Sequence, residues 1–435
     1  MRIIIVGGGF AGLKLARRLN NKPGFEIVLI DKVNYHQFQP LFYQVATSSL
    51  DASNISFPLR KVFQKSRNVR IRLAEVLSID TNQNTVSTDI GIFQYDILVL
   101  ATGADTNFFG NAQLQQSAMP MKSTVEAIRI RHELIHNFEE AVMEQDPLKL
   151  KKLMTVVIVG GGPTGVELSG AIAQMKSDVL PKDYPDLDFS GMQIILLEGM
   201  DKLLAAMSPK SSEQSLKYLQ RLGVTVMLNT VVKNYDGEEV VLVNGSTIPA
   251  KMVIWAAGIK GNIPAGIDPA LVVKGNRIKV DGTNKVEGIQ NVYALGDVAY
   301  METPLYPKGH PQVANVAISQ AKNLANNLKR IGDGNEPELY EYHDKGSMAT
   351  VGKNLAVADI PKPHLHFGGF LAWLIWMGLH LMLLLGVKNR VHVFINWITN
   401  YITNDQNLRL IFKEFYIHKT QPGKVQESER KEFVG

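Results

Sequence analysis

The residues of this chain best placed to do chemistry are two glycine clusters, Gly7-Gly8-Gly9-Phe10-Ala11-Gly12 and Gly160-Gly161-Gly162-Pro163-Thr164-Gly165. The chemistry they suit is the grip on a pyrophosphate. In the first cluster Gly7 permits a tight turn, Gly9 lets the backbone approach phosphate oxygens, and Gly12 lets helix and strand pack closely. Gly160, Gly162 and Gly165 repeat that spacing. A helix opening at the cluster adds free N–H groups and the positive end of its dipole. Each cluster is followed by an acid at the end of the next apolar run, Asp31 and Glu198. A carboxylate there accepts hydrogen bonds from ribose hydroxyls. Glu198 also repels a 2′-phosphate, and Gly199-Met200-Asp201 after it brings no arginine, so NADH is favoured over NADPH.

A glycine turn binds a nucleotide only if strand and helix hold it. Ile3–Val6 reads as a buried parallel strand, Leu13, Leu15, Ala16 and Leu19 as a helix, and Ile27–Ile30 as a second strand. Val156–Val159, Val166–Leu168 and Ile194–Leu197 repeat the unit, with a Pro- and Asp-containing insertion between Met175 and Gly191. Two further runs echo each other. Ile97–Leu100 leads into Ala101-Thr102-Gly103, and Val253–Ala256 leads into Ala257-Gly258. Only one strand, Val292–Leu295, ends in Gly296-Asp297, where a helix start would offer a dipole and a carboxylate to a ribityl–phosphate chain. The plain alternative is an ordinary helix cap. The pair places FAD in the first unit and NADH in the second. The expected class is α/β with two Rossmann-like domains. The first covers 1–115 and 275–365, the second 116–274, and a helical segment 366–435.

Composition narrows the functions. Hydrophobic residues make up 45% and charged residues 20%, as in a globular protein. Lys+Arg number 46 against 41 Asp+Glu, a net charge of +5, too little to argue for nucleic acid. There is no cysteine, which excludes disulfides, thiol nucleophiles, iron–sulfur clusters and thiolate zinc sites. No metal site is expected. Met1–Val6 is basic then apolar, but Gly7 interrupts it, so a strand is expected rather than a signal peptide.

The tail is different in kind. Phe367 to Val387 contains no Asp, Glu, Lys or Arg, and Lys388 and Arg390 close it. Its length suits a membrane span, but Gly368, Gly369, Gly378, Gly386 and His380 weaken that reading. Val391, Phe394, Ile395, Ile398 and Ile402 then recur at helical spacing, with Trp397 and Tyr401 suited to an interface. An interfacial anchor, a single span and a helix buried in the core or a homodimer stay open. Arg60, Lys61, Lys65, Arg67, Arg70 and Arg72 crowd together with no acid between them, either facing anionic lipid or as a solvated face. The last dozen residues, from Gly423, are polar and are expected to fray.

At this point the chain resembles the two-dinucleotide flavoproteins with a glutathione-reductase-like fold, and more closely the type II NADH:quinone oxidoreductases. The resemblance covers nearly the whole chain. Besides the glycine motifs, it is carried by Asn34 to Ala46, Ala294-Leu295-Gly296-Asp297, His310 to Gln320 and the Trp-rich tail. It implies that Glu167 lies near the stacked nicotinamide and flavin rings, and that Pro40 and Leu41 belong to a loop over the flavin. It sets Val313 and Ala314 against FAD. It also implies a quinone-site helix from Pro311 to Gln320, in which only Gln320 matches directly. Asn315 and Ser319 stand where glutamines are usual, and Gln312 lies near enough to substitute. The implied enzyme is a monotopic protein of the cytoplasmic membrane face, reducing ubiquinone or menaquinone.

The missing cysteines bear on the acceptor as well. Relatives that reduce disulfides, sulfide or peroxide need cysteines beside the flavin, so here electrons must pass directly to an acceptor such as quinone. Catalysis then rests on stacking nicotinamide against flavin, and no segment resembles a proton channel. Two rivals share the motifs: a soluble NADH:ferredoxin or dye reductase, and an apoptosis-inducing-factor-like redox sensor.

Overall fold

The computed structural model describes residues 1–406 and 408–411. The polar stretch from Gly423 lies outside the described residues.

In chain order, β1 (Arg2–Val6), α1 (Phe10–Leu19) and β2 (Glu26–Asp31) form the first unit, widened by β3 (Val69–Leu73) and β4 (Ile97–Leu100). The second unit repeats it with β5 (Thr155–Val159), α2 (Pro163–Asp178) and β6 (Gln193–Leu197), followed by α3 (Pro209–Arg221), β7 (Thr225–Met227) and β8 (Met252–Trp255). The chain then returns to the first sheet with β9 (Val292–Ala294) and α4 (Ala314–Gly332). The sheet orders are β9-β4-β1-β2-β3 and, beyond a short strand at Met119–Pro120, β8-β5-β6-β7. All these pairings are parallel, with Val6 opposite Ile30 and Val159 opposite Leu197. β1 and β5 lie between two neighbours and are covered on both faces, which is why they read as unbroken Ile/Val runs.

The insertion after Met175 is a longer helix followed by short helical turns at Leu180–Asp183 and Phe189–Gly191. The expected divisions after 115 and 365 fall inside elements, the helix Ala112–Ser117 and a tail strand. The helix expected directly after Asp297 is not there. Gly296–Val298 forms a single 3-10 turn leading into the strand Ala299–Tyr300, and α4 starts only at Ala314. The positive φ of Gly296, +69°, turns the chain out of the helical direction.

The tail opens with an antiparallel sheet, β10 (Ser347–Gly352), β11 (Leu355–Ile360) and β12 (Leu365–Gly368). It packs on α2 so tightly that a Cβ at Gly170 would lie 1.6 Å from the Val351 carbonyl oxygen. Two helices follow, α5 (Gly369–Leu383) and α6 (Val387–Thr403), broken at Gly386, where φ is +80°. The uncharged run is thus divided among a strand end, a helix and a turn. No helix among the described residues is long and apolar enough to cross a membrane. Trp376, Leu384, Val393 and Trp397 point inward and share a core cluster with α2. Truncating a buried Trp of this kind costs about 3–5 kcal/mol. Val391, Phe394, Ile395, Ile398 and Ile402 point outward: the helical stripe read from the sequence is the exposed face, not the packed one.

Candidate functional site

The two glycine turns are built alike. Gly7 and Gly160 take φ of +104° and +111°, and their N–H groups donate to Ile30 O and Leu197 O, each at 2.8 Å. A Cβ on Gly12 or Gly165 would lie 1.8 or 1.9 Å from the oxygen of Gly7 or Gly160, so only glycine lets α1 and α2 seat there. Gly9 and Gly162 have nothing within 4 Å of a Cβ position and face open clefts. Asp31 accepts from Gly8 N–H at 2.5 Å and Val33 N–H at 2.9 Å. Glu198 accepts from Gly161 N–H at 2.5 Å and Met200 N–H at 2.7 Å. Each acid therefore fastens the middle of its own turn. A carboxylate has about four acceptor sites, which leaves room for ribose hydroxyls.

The first cleft, about 520 Å³, runs along Gly7–Phe10, Asp31, Ala101-Thr102-Gly103 and Asp297. Burial raises the pKa of the Asp31 carboxyl above its usual value, against the pull of the Val33 and Gly8 N–H groups. Burial does the same to Asp297, opposed by Lys122 and Arg277. Ala11 lies beneath Gly296, and Phe10 meets His36 edge-on at 5.2 Å. This cleft fits FAD: its size is that of a cofactor site, and the open Gly9 position at the start of α1 leaves the backbone free to meet phosphate. The second cleft, about 550 Å³, is lined by Gly160–Pro163, Glu198, Ala257 and Gly258, with Phe109 over Gly258. Thr164 is exposed in the first turn of α2.

A third cavity, about 140 Å³, lies where α2 meets the tail. Tyr43 and Gln44, from the short helix Phe42–Ala46, form one side, Trp376 and Trp397 another, and Glu167 the floor. Glu167 is half-buried and lines this cavity. Burial pushes its carboxyl up to about 8, although the Thr350 N–H (3.4 Å) and the Trp376 indole favour the charged form. Tyr43 is raised well above its ordinary value, first by burial and then by Glu167. Gln44 joins the two walls: its amide donates to the Tyr43 hydroxyl at 2.9 Å and accepts from the Trp397 indole at 2.8 Å. His380 stacks on Trp376 at 4.0 Å, and burial lowers it to about 4, so it is neutral.

None of the three residues expected to handle the acceptor, Gln312, Asn315 and Gln320, reaches this cavity; Glu167, expected beside the nicotinamide and flavin rings, does. Gln320 is buried and accepts from Gly296 N–H at 2.8 Å, and Gln312 donates to Asp297 O at 2.9 Å. Gln320 ties α4, and Gln312 the segment just before it, to the Gly296–Asp297 turn. Asn315 is exposed in the first turn of α4, near exposed Val313 and half-buried Ala314. Leu41 is fully buried in the core, while Pro40 is half-buried in the 3-10 turn Gln39–Leu41. Sequence reasoning did not single out Gly8, Gly161, Tyr43, Gln44, Thr350 or Trp376 as site residues. The glycines had a signal, since each lies beside the acid of its own unit. The others meet Glu167 only through tertiary packing.

Two glycine-turn clefts in one chain, with an acid on the second turn's helix lining a tail cavity, define a two-dinucleotide oxidoreductase. The profile of the pyridine nucleotide-disulphide oxidoreductase family matches residues 1–321, and that of the NDH2 C-terminal domain matches 344–404. The type II NADH:quinone oxidoreductase Ndh of Mycobacterium tuberculosis is 35% identical over 92% of this chain and 88% of its own. The type II enzyme of Haemophilus influenzae is 26% identical over 82% of this chain and 86% of its own. A solved Plasmodium falciparum NDH2 in complex with NADH shares the fold, with a TM-score of 0.86 and 21% identity over 95% of this chain and 99% of that one. This chain belongs to the type II NADH:quinone oxidoreductase family.

Proposed function

We propose that this chain oxidises NADH and reduces quinone at a membrane surface, by the reaction NADH + H⁺ + quinone → NAD⁺ + quinol. FAD held in the first cleft would supply the redox chemistry, accepting hydride from NADH and relaying two electrons to the quinone. The observation that carries the reading is Glu167. It belongs to the helix that opens at the second glycine turn, and it is the floor of the cavity closed by the tail. One residue thus adjoins both the nucleotide half and a cavity of its own.

In this reading the domain of 1–115 and 275–365 holds FAD, the domain of 116–274 holds NADH, and 366–435 anchors the enzyme. Gly7, Gly9 and Gly12 seat the FAD pyrophosphate, and Gly160, Gly162 and Gly165 that of NADH. Asp31 and Glu198 fix those turns and receive ribose hydroxyls. Ala101–Gly103, Gly296 and Asp297 line the flavin side, where Gln312 and Gln320 act as positioning residues by holding the turn. Val313, Ala314 and Pro40 would lie toward the flavin and Asn315 toward the quinone, as the family resemblance implies. The aromatic cavity takes the quinone ring: an apolar cavity of about 150 Å³ holds a benzene-sized ring. Glu167, protonated at neutral pH, can donate a hydrogen bond or a proton to a carbonyl oxygen there. The exposed stripe of α6 lies in the lipid interface. The enzyme sits on the cytoplasmic face, the side that supplies NADH. A homodimer joined through that stripe is the competing use of it, and sedimentation in detergent separates the two.

The test is anaerobic stopped-flow absorbance in the visible flavin band, with NADH added first and a short-chain quinone second. Rapid bleaching and rapid recovery are expected. Bleaching without quinone-driven recovery would remove quinone as the acceptor.

A further inference from the structure

The face of α1 turned away from its sheet carries Lys14, Arg17 and Arg18, one turn apart. The neighbouring α4 carries Lys322 and Lys329 toward the same side. α1 packs directly against α4, and Lys14 is held below its ordinary value by burial and then by Lys322, Arg17 and Arg18. Lys22 and Arg18 act likewise on Lys329. No acid lies between Phe10 and Phe25 or between Thr303 and Gly332. Among the described residues no carboxylate pairs with any of these five cations; the nearby pairs are Arg70–Glu26 at 4.0 Å and Arg330–Glu338 at 3.0 Å.

This basic face is continuous with the tail. Asn21, just past α1, donates to Lys65 O at 3.4 Å and accepts from Arg67 N–H at 2.8 Å, which brings the 60–67 bases alongside. Lys61 lies 5.8 Å from the centre of the Phe57 ring. That ring touches the α5–α6 turn, where a Cβ on Gly386 would lie 2.5 Å from it. Leu385 and Val62 pack against the same core that α1 covers. An apolar stripe on the tail therefore runs into a cationic track that ends on α1 and α4.

We propose that the outer face of α1 and α4 is a contact surface for anionic lipid headgroups, a second attachment beside the apolar tail. It rests on the reading that the tail lies on a membrane. The occupant follows from charge complementarity and from continuity with the apolar stripe, because a membrane presents fixed anions next to hydrocarbon over one broad plane. Each base near such a surface adds measurably to binding, within a Debye length.

The test is cosedimentation of the FAD-loaded protein with vesicles of phosphatidylcholine, alone or mixed with phosphatidylglycerol. Wild type is expected to bind both, the mixed vesicles more tightly, with the preference lost at high salt. The triple variant Lys14→Glu, Arg17→Glu, Arg18→Glu should bind phosphatidylcholine as wild type does and the mixed vesicles about ten- to a hundred-fold more weakly than wild type. Lys322→Glu with Lys329→Glu, on the other helix, should act the same way and guards against a folding defect in α1. NADH:ferricyanide turnover should be unchanged in both. Equal binding of both vesicles by wild type, or an undiminished preference in both variants, would overturn this surface alone. Failure of wild type to bind either vesicle would overturn the tail reading beneath it.

Discussion

Gly7 to Leu19 and Gly160 to Ile172 correspond residue for residue, and the first turns of α1 and α2 have the same geometry. The difference begins one turn further along. Where α1 has Lys14, Arg17 and Arg18, α2 has Glu167, Gly170 and Ala171. The first face is left open and basic. The second is covered by β10 and the tail helices, and its acids, Glu167 and Asp178, line a cavity. Duplication thus supplied two cradles for pyrophosphate, and the outer face of each helix set what its half does next. The glycine spacing says that a nucleotide binds; positions 167 and 170 say what is built beside it.

The largest effects should come from breaking one cradle and leaving the other intact. Gly9→Val and Gly162→Val both place a side chain in open cleft, so neither should prevent folding. Hydrogen bonds to a charged group contribute about 1.5–3 kcal/mol each, so losing two weakens nucleotide binding ~100-fold or more. Gly9→Val should purify without bound FAD. Gly162→Val should keep its yellow flavin but fail to bleach with NADH, read as a raised NADH dissociation constant. The same phenotype in both variants would mean that the halves are not separable.

Next is the covered face against the open one. Gly170→Leu would drive a side chain into the Val351 carbonyl and should cost about 3 kcal/mol or more. Arg17→Leu, at the matching position of α1, should stay within about 0.5 kcal/mol. Thermal unfolding of the two variants reads the contrast directly. Equal melting temperatures would show that the tail sheet does not bear on α2 in solution.

Glu167→Gln sharpens the difference in charge. The folded chain raises the Glu167 carboxyl to about 8, so it holds a proton that the unfolded chain releases at lower pH. Wild-type stability should therefore fall as pH rises from the ordinary carboxylate range to about 8, and level off above it. Each tenfold step is about 1.4 kcal/mol, and Glu167→Gln should remove this dependence, as chemical denaturation at several pH values would show. Quinone reduction by wild type should lose activity with a midpoint near 8, and the variant's profile should be flat there. A midpoint that survives in Glu167→Gln belongs to another group.

How much of this was legible beforehand follows from how local each feature is. The two βαβ units could be read because strand, glycine turn, helix and acid all lie within one short stretch, and backbone geometry dictates the residue types. The exposed stripe of α6 was legible as helical period, but not its direction, because an outward apolar face and an inward one have the same spacing. The turn after Asp297 was misread as a helix start because Gly-Asp suits either; φ at Gly296 decides it. Gln312 and Gln320 looked like acceptor contacts, and their amides instead hold Gly296 and Asp297, partners that lie well apart from them in sequence. Tyr43, Gln44 and Trp397 form one hydrogen-bonded wall across most of the chain's length, a distance no periodicity reaches.

The smallest expected effect tests the open side of the comparison. Lys14 occupies in α1 the place of Glu167 in α2, and its pKa is held below the ordinary value by burial first and then by repulsion from Lys322, Arg17 and Arg18. Its charged form is therefore slightly disfavoured by folding, a cost present at neutral pH and relieved only as pH rises through its lowered value. Lys14→Ala should be neutral or stabilising by no more than about 0.5 kcal/mol, since the site is largely solvated. The gain should appear at low ionic strength and vanish in salt, because screening removes the same repulsion. Glu167→Ala, by contrast, would empty a walled site and show no such salt dependence. A destabilising, salt-independent Lys14→Ala would mean that the α1 face is structural after all, and the two helices would then differ less than their charges suggest.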